Sequence, residues 1–313
     1  MDAEDGRIPV LALLGPTAAG KTALAVRLLE AADMEIISVD SGMVYRGMDI
    51  GTAKPDAATQ AQAPHHLIDL RDPWQTYSAA DFRRDALACI EAVRSRGRQP
   101  LLVGGSMLYY KVLRDGLTSL PEADATVRAA LEAQAATLGW PAMHAELARV
   151  DPVTAQRLQP GDSQRIQRAL EVYRLTGQPL SQWHEQAAAP ALPFRLRTFA
   201  LLPEDRAALH ARIEMRLEQM WAQGLLEEVA ALRALPEMHA ELPAMRSVGY
   251  RQTWAYLQGH YALAELKERT LFATRQLAKR QLTWLRSFAE INPRDPFRQT
   301  DHELVDWILQ NRW

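Results

Sequence analysis

"IPVLALLGPTAAGKT", residues 8–22, decides the architecture. An apolar run enters Gly15-Pro16-Thr17-Ala18-Ala19-Gly20-Lys21-Thr22, which matches the G-x-x-x-x-G-K-[ST] loop, and "KTALAVRLLEAA" continues at helical period. Strand, loop and helix in that order predict a cradle for phosphate oxygens, built from backbone amides and a helix N-terminus, with Lys21 as a point charge. Gly15 and Gly20 permit the tight path and Pro16 presets one dihedral. Thr22 is the candidate protein ligand for Mg²⁺.

Working outward, "EIISVD", "HHLIDL" and "QPLLVGG" are further short apolar runs, separated by helical patterns such as "ACIEAVRSRG". That rhythm predicts an α/β fold: a P-loop NTPase-like parallel sheet flanked by helices. Residues 121–193 break the rhythm with Ala-rich helical stretches and the turn signals "DPVT" and "QPGDSQ", and are expected to form a helical insertion. The core is then made of residues 1–120 and 194–313. "LRTFALLP" at 196–203 returns the chain to the sheet, and helix follows until "NPRDPF" at 292–297 breaks it. "DHELVDWILQNRW" closes as a short amphipathic helix.

Composition excludes several classes. The 313 residues are 48% hydrophobic and 24% charged, an ordinary globular balance. No stretch approaches the roughly 18 apolar residues of a membrane span, and "MDAEDGRIPV" has no basic or apolar leader region, so the expected location is the cytoplasm. Cys89 is the sole cysteine, which excludes an intramolecular disulfide and a cysteine metal site. A net charge of −2 argues against nucleic acid, yet residues 246–286 carry eight Lys or Arg against two Glu. One cationic face can hold an anionic polymer whatever the sum, because the local field follows nearby charges. Arg outnumbers Lys 31 to 5, a bias that suits phosphate recognition but that a GC-rich coding sequence would also give.

The loop alone does not specify the reaction. "QPLLV" ends in Gly104, Gly105 and Ser106 and offers no acid for a water-activating site, whereas Asp40 follows the second strand. A carboxylate at that tip faces the phosphate crevice in a doubly wound sheet. It suits a base acting on an acceptor, with metal ligation through water as the alternative. Ser106 can bond a diphosphate oxygen or the acceptor, or cap a helix. His65 and His66 lack spaced partners for a metal. Arg275, Lys279, Leu282 and Arg286 recur at i, i+4, i+7 and i+11, one stripe of a long helix. Tyr250, Trp254, Tyr256, Tyr261, Phe272 and Trp284 in the same segment can stack on bases or fill a core.

"GPTAAGKT", "DSGMVYRGMDIGTAKP", "PHHLIDLRDP", "VGGSMLYYKVL", "DSQRIQRALEVY", "VGYRQ" and "TRQLAKRQLTWLR", in that order over residues 9–290, resemble the tRNA dimethylallyltransferase (tRNA isopentenyltransferase) family. Ala19, Gly42-Met43 and Ser106-Met107 stand where family members commonly carry Ser, Arg-Gln and Thr-Gly. The resemblance implies transfer of a dimethylallyl group from dimethylallyl diphosphate to the exocyclic amine of the adenosine immediately 3′ of the anticodon. It implies the tRNA anticodon stem-loop as partner, beside the Mg²⁺ cofactor expected from Thr22 of the loop and the absence of a membrane partner expected from the hydropathy.

On that reading the loop residues hold diphosphate, Asp40 is the general base, and Lys21, Ser106 and an arginine of "HARIEMR" assist. The comparison favours a catalytic arginine in this helix, Arg212 being preferred here with Arg216 left open; a charged face pairing with Glu214 or Glu218 is the plainer alternative. The expected tRNA contacts are Asp40, Ser41, Gly42, Met43 and Ser106 near the base, with Arg128, Gln164, Arg165, Ile166, Gln167 and Arg168 in the insertion. Arg246, Gly249, Tyr250, Arg251, Arg275, Lys279, Arg280, Trp284 and Arg286 complete the set. The insertion has six Arg against eight acids, so its RNA role rests on the resemblance. The competing readings are a small-molecule P-loop kinase, an isopentenyltransferase of free adenine nucleotides and a non-enzymatic RNA-binding module. Nothing in the sequence demands more than a monomer.

Overall fold

A computed structural model describes residues 7–116, 120–186 and 192–313. The chain begins β1 (Ile8–Leu14), α1 (Lys21–Ala31), β2 (Met34–Val39), α2 (Ala57–Gln62), β3 (His65–His66), α3 (Ala79–Ser95), β4 (Gln99–Gly104) and α4 (Met107–Asp115). Five helices follow: α5 (Ala125–Leu138), α6 (Trp140–Val150), α7 (Pro152–Arg157), α8 (Ser163–Thr176) and α9 (Leu180–Gln186). The remainder is β5 (Phe194–Leu201), α10 (Arg206–Ala222), α11 (Leu225–Arg233), α12 (Tyr250–Leu257), α13 (Leu263–Ser287), β6 (Asn292–Arg294) and α14 (Asp301–Gln310). The chain divides into two compact units, Met1–Arg114 with Leu192–Trp313, and Asp115–Ala191.

The first unit holds a six-stranded, wholly parallel sheet in the order β3-β2-β4-β1-β5-β6. Strand alternation sends successive side chains to opposite faces. Val10, Ala12 and Leu14 of β1 join one core with α3, α4, α10 and α13, while Leu11 and Leu13 join another with α1 and α14. Both faces are covered, as a parallel sheet requires. Helix starts follow local chemistry: Ser78 and Asp81 form a reciprocal capping box at α3, as do Thr300 and Glu303 at α14.

Two elements differ from the sequence expectation. "HHLIDL" contributes only His65–His66 as strand, because Leu67 (φ 63°) and Asp69 (φ 55°) turn left-handed and end the pairing. The last long helix, α13, ends at Ser287, ahead of "NPRDPF", whose first three residues add an edge strand beside β5, fixed by the Asn292 side-chain amide donating to the Thr198 carbonyl at 2.9 Å. Pro293 is tolerated there because an edge strand need not donate on both sides.

In the second unit the described regular structure is all helix, and its core comprises Leu131, Ala135, Met143, Leu147, Ala155, Ile166, Ala169 and Leu170. Glu171, fully buried, accepts from the backbone of Asp124 and from Arg128 and Arg168. Burial alone would raise its carboxyl, but these donors outweigh it and hold the group below the usual carboxylate range.

Candidate active site at the strand tips

Register brings the candidate groups to one level. Leu14 and Val39 both pair with Gly104, so Gly15, Asp40 and Gly105 emerge side by side at the carboxyl ends of β1, β2 and β4. This is where open α/β sheets bind ligands.

The phosphate loop follows β1. Gly20 (φ 90°) supplies the left-handed turn into α1, and Ala18 (φ 63°) holds a conformation uncommon for a residue with a Cβ. The first amides of α1 have no intrahelical acceptor and remain for an anion. Lys21 curls onto the Pro16 carbonyl at 2.8 Å. Its pKa falls to about 8, chiefly through burial and secondarily through Arg216, with Asp40 opposing.

At the second tip, Asp40 Oδ1 accepts from the backbone N–H of Gly42 (2.8 Å) and Met43 (3.2 Å), which fixes the carboxylate. The Ser106 hydroxyl accepts from Ser41 N–H at 2.9 Å and donates to Ser41 Oγ at 3.1 Å, tying the β4 tip to the β2 tip.

A cavity of about 1000 Å³ opens beside the loop, lined by Ala18, Gly20, Lys21 and Thr22, by residues 49–60 with gaps, and by Arg212, Met215 and Arg216 of α10. Both arginines sit on the same helix face, as their spacing predicts, but their contacts differ. Arg216 Nη1 donates to the Thr17 hydroxyl at 2.8 Å, whereas the Arg212 guanidinium stacks 4.9 Å from the centre of the Phe297 ring. Burial lowers the Arg216 pKa and Asp40 opposes that shift, yet a guanidinium stays charged. Lys21, Lys54, Arg212 and Arg216 against Asp49, Asp56 and Asp69 leave the cavity wall net positive, which suits diphosphate. On the opposite wall Lys54 is held by Asp49 (2.5 Å), Asp69 (2.6 Å) and the Tyr45 carbonyl (2.8 Å).

The expected RNA contacts separate into exposed and enclosed groups. Arg246, Arg251, Lys279, Arg280 and Arg286 are exposed, as are Gln164 and Arg165 in the helical unit. Tyr250 and Gly249 are buried, and the Tyr250 hydroxyl donates to Glu228 at 2.6 Å, so this tyrosine offers no surface for stacking. Ile166 lies in the core of the helical unit, Gln167 bonds the Arg128 carbonyl and Glu132, and Arg168 is held by Glu171, whereas Arg128 pairs with the same Glu171 while staying exposed. Arg275 pairs with Glu214 at 3.2 Å, and Trp284 is half-buried, edge-on to Phe288.

Sequence reasoning missed Gln281. From α13 its Oε1 accepts from Thr17 N–H at 2.9 Å, and its Nε2 donates to the Gly105 carbonyl at 3.0 Å. A signal was available: Gln281 lies three residues after buried Ala278 and four before buried Leu285, so it is a polar residue on a core-facing stripe. Glu228 was missed as well; it accepts from the backbone N–H groups of Asp49, Ile50 and Gly51.

Comparison with known proteins agrees with this geometry. Residues 43–288 match the family described as IPP transferase. A tRNA dimethylallyltransferase of Bordetella petrii is 60% identical over 284 residues, 90% of each chain. The tRNA isopentenylpyrophosphate transferase of Bacillus halodurans superposes with a TM-score of 0.70 at 35% identity, covering 97% of this chain and 96% of that one. A eukaryotic dimethylallyltransferase, solved acting on tRNA, gives a TM-score of 0.81 at 25% identity, covering 96% of this chain and 78% of its own. With residues 43–288 matching the family model and a relative 60% identical over 90% of the chain, the chain belongs to the IPP transferase family.

Proposed function

We propose that the protein transfers the dimethylallyl group of dimethylallyl diphosphate to the exocyclic amine of the adenosine immediately 3′ of the anticodon in tRNA, releasing diphosphate. The observation that carries this reading is the meeting of Lys21 at the start of α1, Arg216 of α10 and Asp40 at the β2 tip, close enough to shift one another's charge. It sets an anion site against an acid-base group, the requirement of an alkyl transfer from a diphosphate to an amine. The relatives are named for tRNA, which favours this over kinase and free-nucleotide chemistry.

The adenine amine is a poor nucleophile because its lone pair is delocalised into the ring. As that pair attacks C1 of the dimethylallyl group, the C1–O bond breaks and its electrons leave with the diphosphate. Asp40 accepts the amine proton on Oδ2, its Oδ1 being held by Gly42 and Met43. Lys21, Arg216 and the loop amides meet the charge that develops on the leaving group. Ser106, through Ser41, keeps the base and the β4 tip in register.

Thr22 lies on the cavity wall beside Lys21, and the described residues contain no cluster of three His, Cys, Asp or Glu able to hold a metal. That donor set suits Mg²⁺ carried largely by diphosphate and water, with the Thr22 hydroxyl as its protein ligand. Bound there, Mg²⁺ would neutralise part of the leaving-group charge.

Exposed Gln164 and Arg165 in the helical unit, and Arg251, Lys279, Arg280 and Arg286 in the other, supply the RNA contacts. With a tRNA substrate the reaction belongs in the cytoplasm, carried out by one chain.

The test is transfer of label from radiolabelled dimethylallyl diphosphate, with Mg²⁺, to unmodified tRNA or to AMP, beside an Asp40→Asn variant. Label in tRNA alone, reduced by on the order of 10² to 10⁴ in the variant, supports the reading. Label in AMP, or ATP consumption without transfer, overturns it.

A further inference from the structure

Gln281 touches two strand tips at once. The pairing fixes which end of its amide is which, since the Thr17 N–H needs an acceptor and the Gly105 carbonyl needs a donor. Gly105 makes the approach possible: a Cβ there would lie 2.5 Å from Nε2. Thr17 is thus held twice, its amide from α13 and its hydroxyl from Arg216 on α10. The next residues of the loop, Ala18 and Gly20 to Thr22, line the cavity. Neighbouring Lys279 and Arg280 are exposed, so Gln281 parts from the RNA-facing groups of its own helix.

We propose that Gln281 is a positioning residue for the diphosphate. By locking the Thr17 peptide to the Gly105 peptide, it presets both the path of the phosphate loop and the spacing between that loop and the Ser106 tip. An anion then meets amides already oriented, which avoids reorganisation during reaction. The inference rests on the proposed diphosphate substrate.

The experiment uses the full chain and reads three quantities: affinity for inorganic pyrophosphate with Mg²⁺ by calorimetry, kinetics of label transfer, and affinity for unmodified tRNA. Gln281→Leu should weaken pyrophosphate binding and raise KM for dimethylallyl diphosphate by about tenfold, the scale of one hydrogen bond to a preorganised site. Affinity for tRNA should stay within about twofold of the wild type. Gly105→Ala, which displaces the amide without removing it, should give a similar loss, and the double variant should lose no more than the worse single one.

Additive losses, a matching fall in tRNA affinity, or a lower Tm with unchanged pyrophosphate binding would overturn the proposal. If the wild type binds pyrophosphate but transfers no label, the reaction assignment fails while the pyrophosphate arm still decides the role of Gln281.

Discussion

The Arg216 guanidinium donates to the Thr17 hydroxyl at 2.8 Å, a contact between residues 199 apart in sequence that joins α10 to the phosphate loop. It points to Arg216, where the sequence reading preferred Arg212. Spacing of four puts Arg212 and Arg216 on one helix face, but only tertiary packing shows which turn meets the loop.

Arg216→Gln should therefore lower kcat by on the order of 10² to 10³, the usual cost of one group stabilising developing charge. Arg216→Lys should recover part of that, since an ammonium keeps the charge and loses the fork. Arg212→Gln should cost less than Arg216→Gln, because its guanidinium stacks on Phe297 at the cavity wall. Steady-state kinetics of the three variants check the order.

Lys21 makes the free enzyme sensitive to pH. Its pKa is lowered from 10.5 to about 8, so the folded protein gives up this proton at a lower pH than the unfolded chain does. Folding stability linked to this group thus rises with pH between those values, while the charge needed for diphosphate is lost. Accordingly kcat/KM for dimethylallyl diphosphate should fall as pH rises through about 8. Lys21→Arg should remove that shoulder, whatever its absolute rate, because a guanidinium does not titrate there. A pH–rate profile of both proteins is the check.

The legible parts of the sequence were those with local causes. The strand, phosphate loop and helix from Ile8 to Ala31 follow from periodicity and glycine placement, and Asp40 from its position after a strand. Lost were groups whose meaning depends on distant partners. Gln281 carries no charge and so dropped out of a reading of α13 as a cationic stripe. Arg128 and Arg168 entered as RNA contacts through the resemblance, and nothing local announces that Glu171 is buried between them. "HHLIDL" looked like a full strand because hydropathy does not report the left-handed turns at Leu67 and Asp69.

Glu228 anchors a cavity wall without a cation. Its carboxylate accepts three consecutive amides, from Asp49, Ile50 and Gly51 at 3.0, 2.7 and 3.1 Å, and the Tyr250 hydroxyl at 2.6 Å. Gly51 admits the tyrosine ring, since a Cβ there would lie 2.5 Å from Tyr250 Cε2. Gly51→Ala should lower Tm sharply, Glu228→Ala should cost about 1–3 kcal/mol through unsatisfied donors, and Tyr250→Phe less. Because Asp49, Ile50 and Lys54 line the cavity, Glu228→Ala should also raise KM for dimethylallyl diphosphate. Calorimetry and kinetics on one set of variants separate the two effects.

In the helical unit, two arginines three residues apart on α8 should behave in opposite ways. The Arg168 side chain is 28% exposed and bonds fully buried Glu171 and the Pro121 carbonyl, so its charge serves the fold. Arg165 is 71% exposed and pairs with nearby Asp162, an arrangement that contributes little stability in water. Removing a partner from a buried ion pair costs about 3–5 kcal/mol, so Glu171→Ala should approach that cost. Arg168→Ala should cost less, since Arg128 stays on the same carboxylate. Arg165→Ala should leave Tm within about 1 °C, since an exposed change rarely exceeds about 0.5 kcal/mol. Its effect should fall on tRNA: weaker binding, and a log-affinity against log-salt slope shallower by about one if Arg165 meets a phosphate. A thermal scan paired with a salt titration distinguishes the cases, and loss of stability without change in the salt slope at Arg165 would remove it from the RNA-binding face.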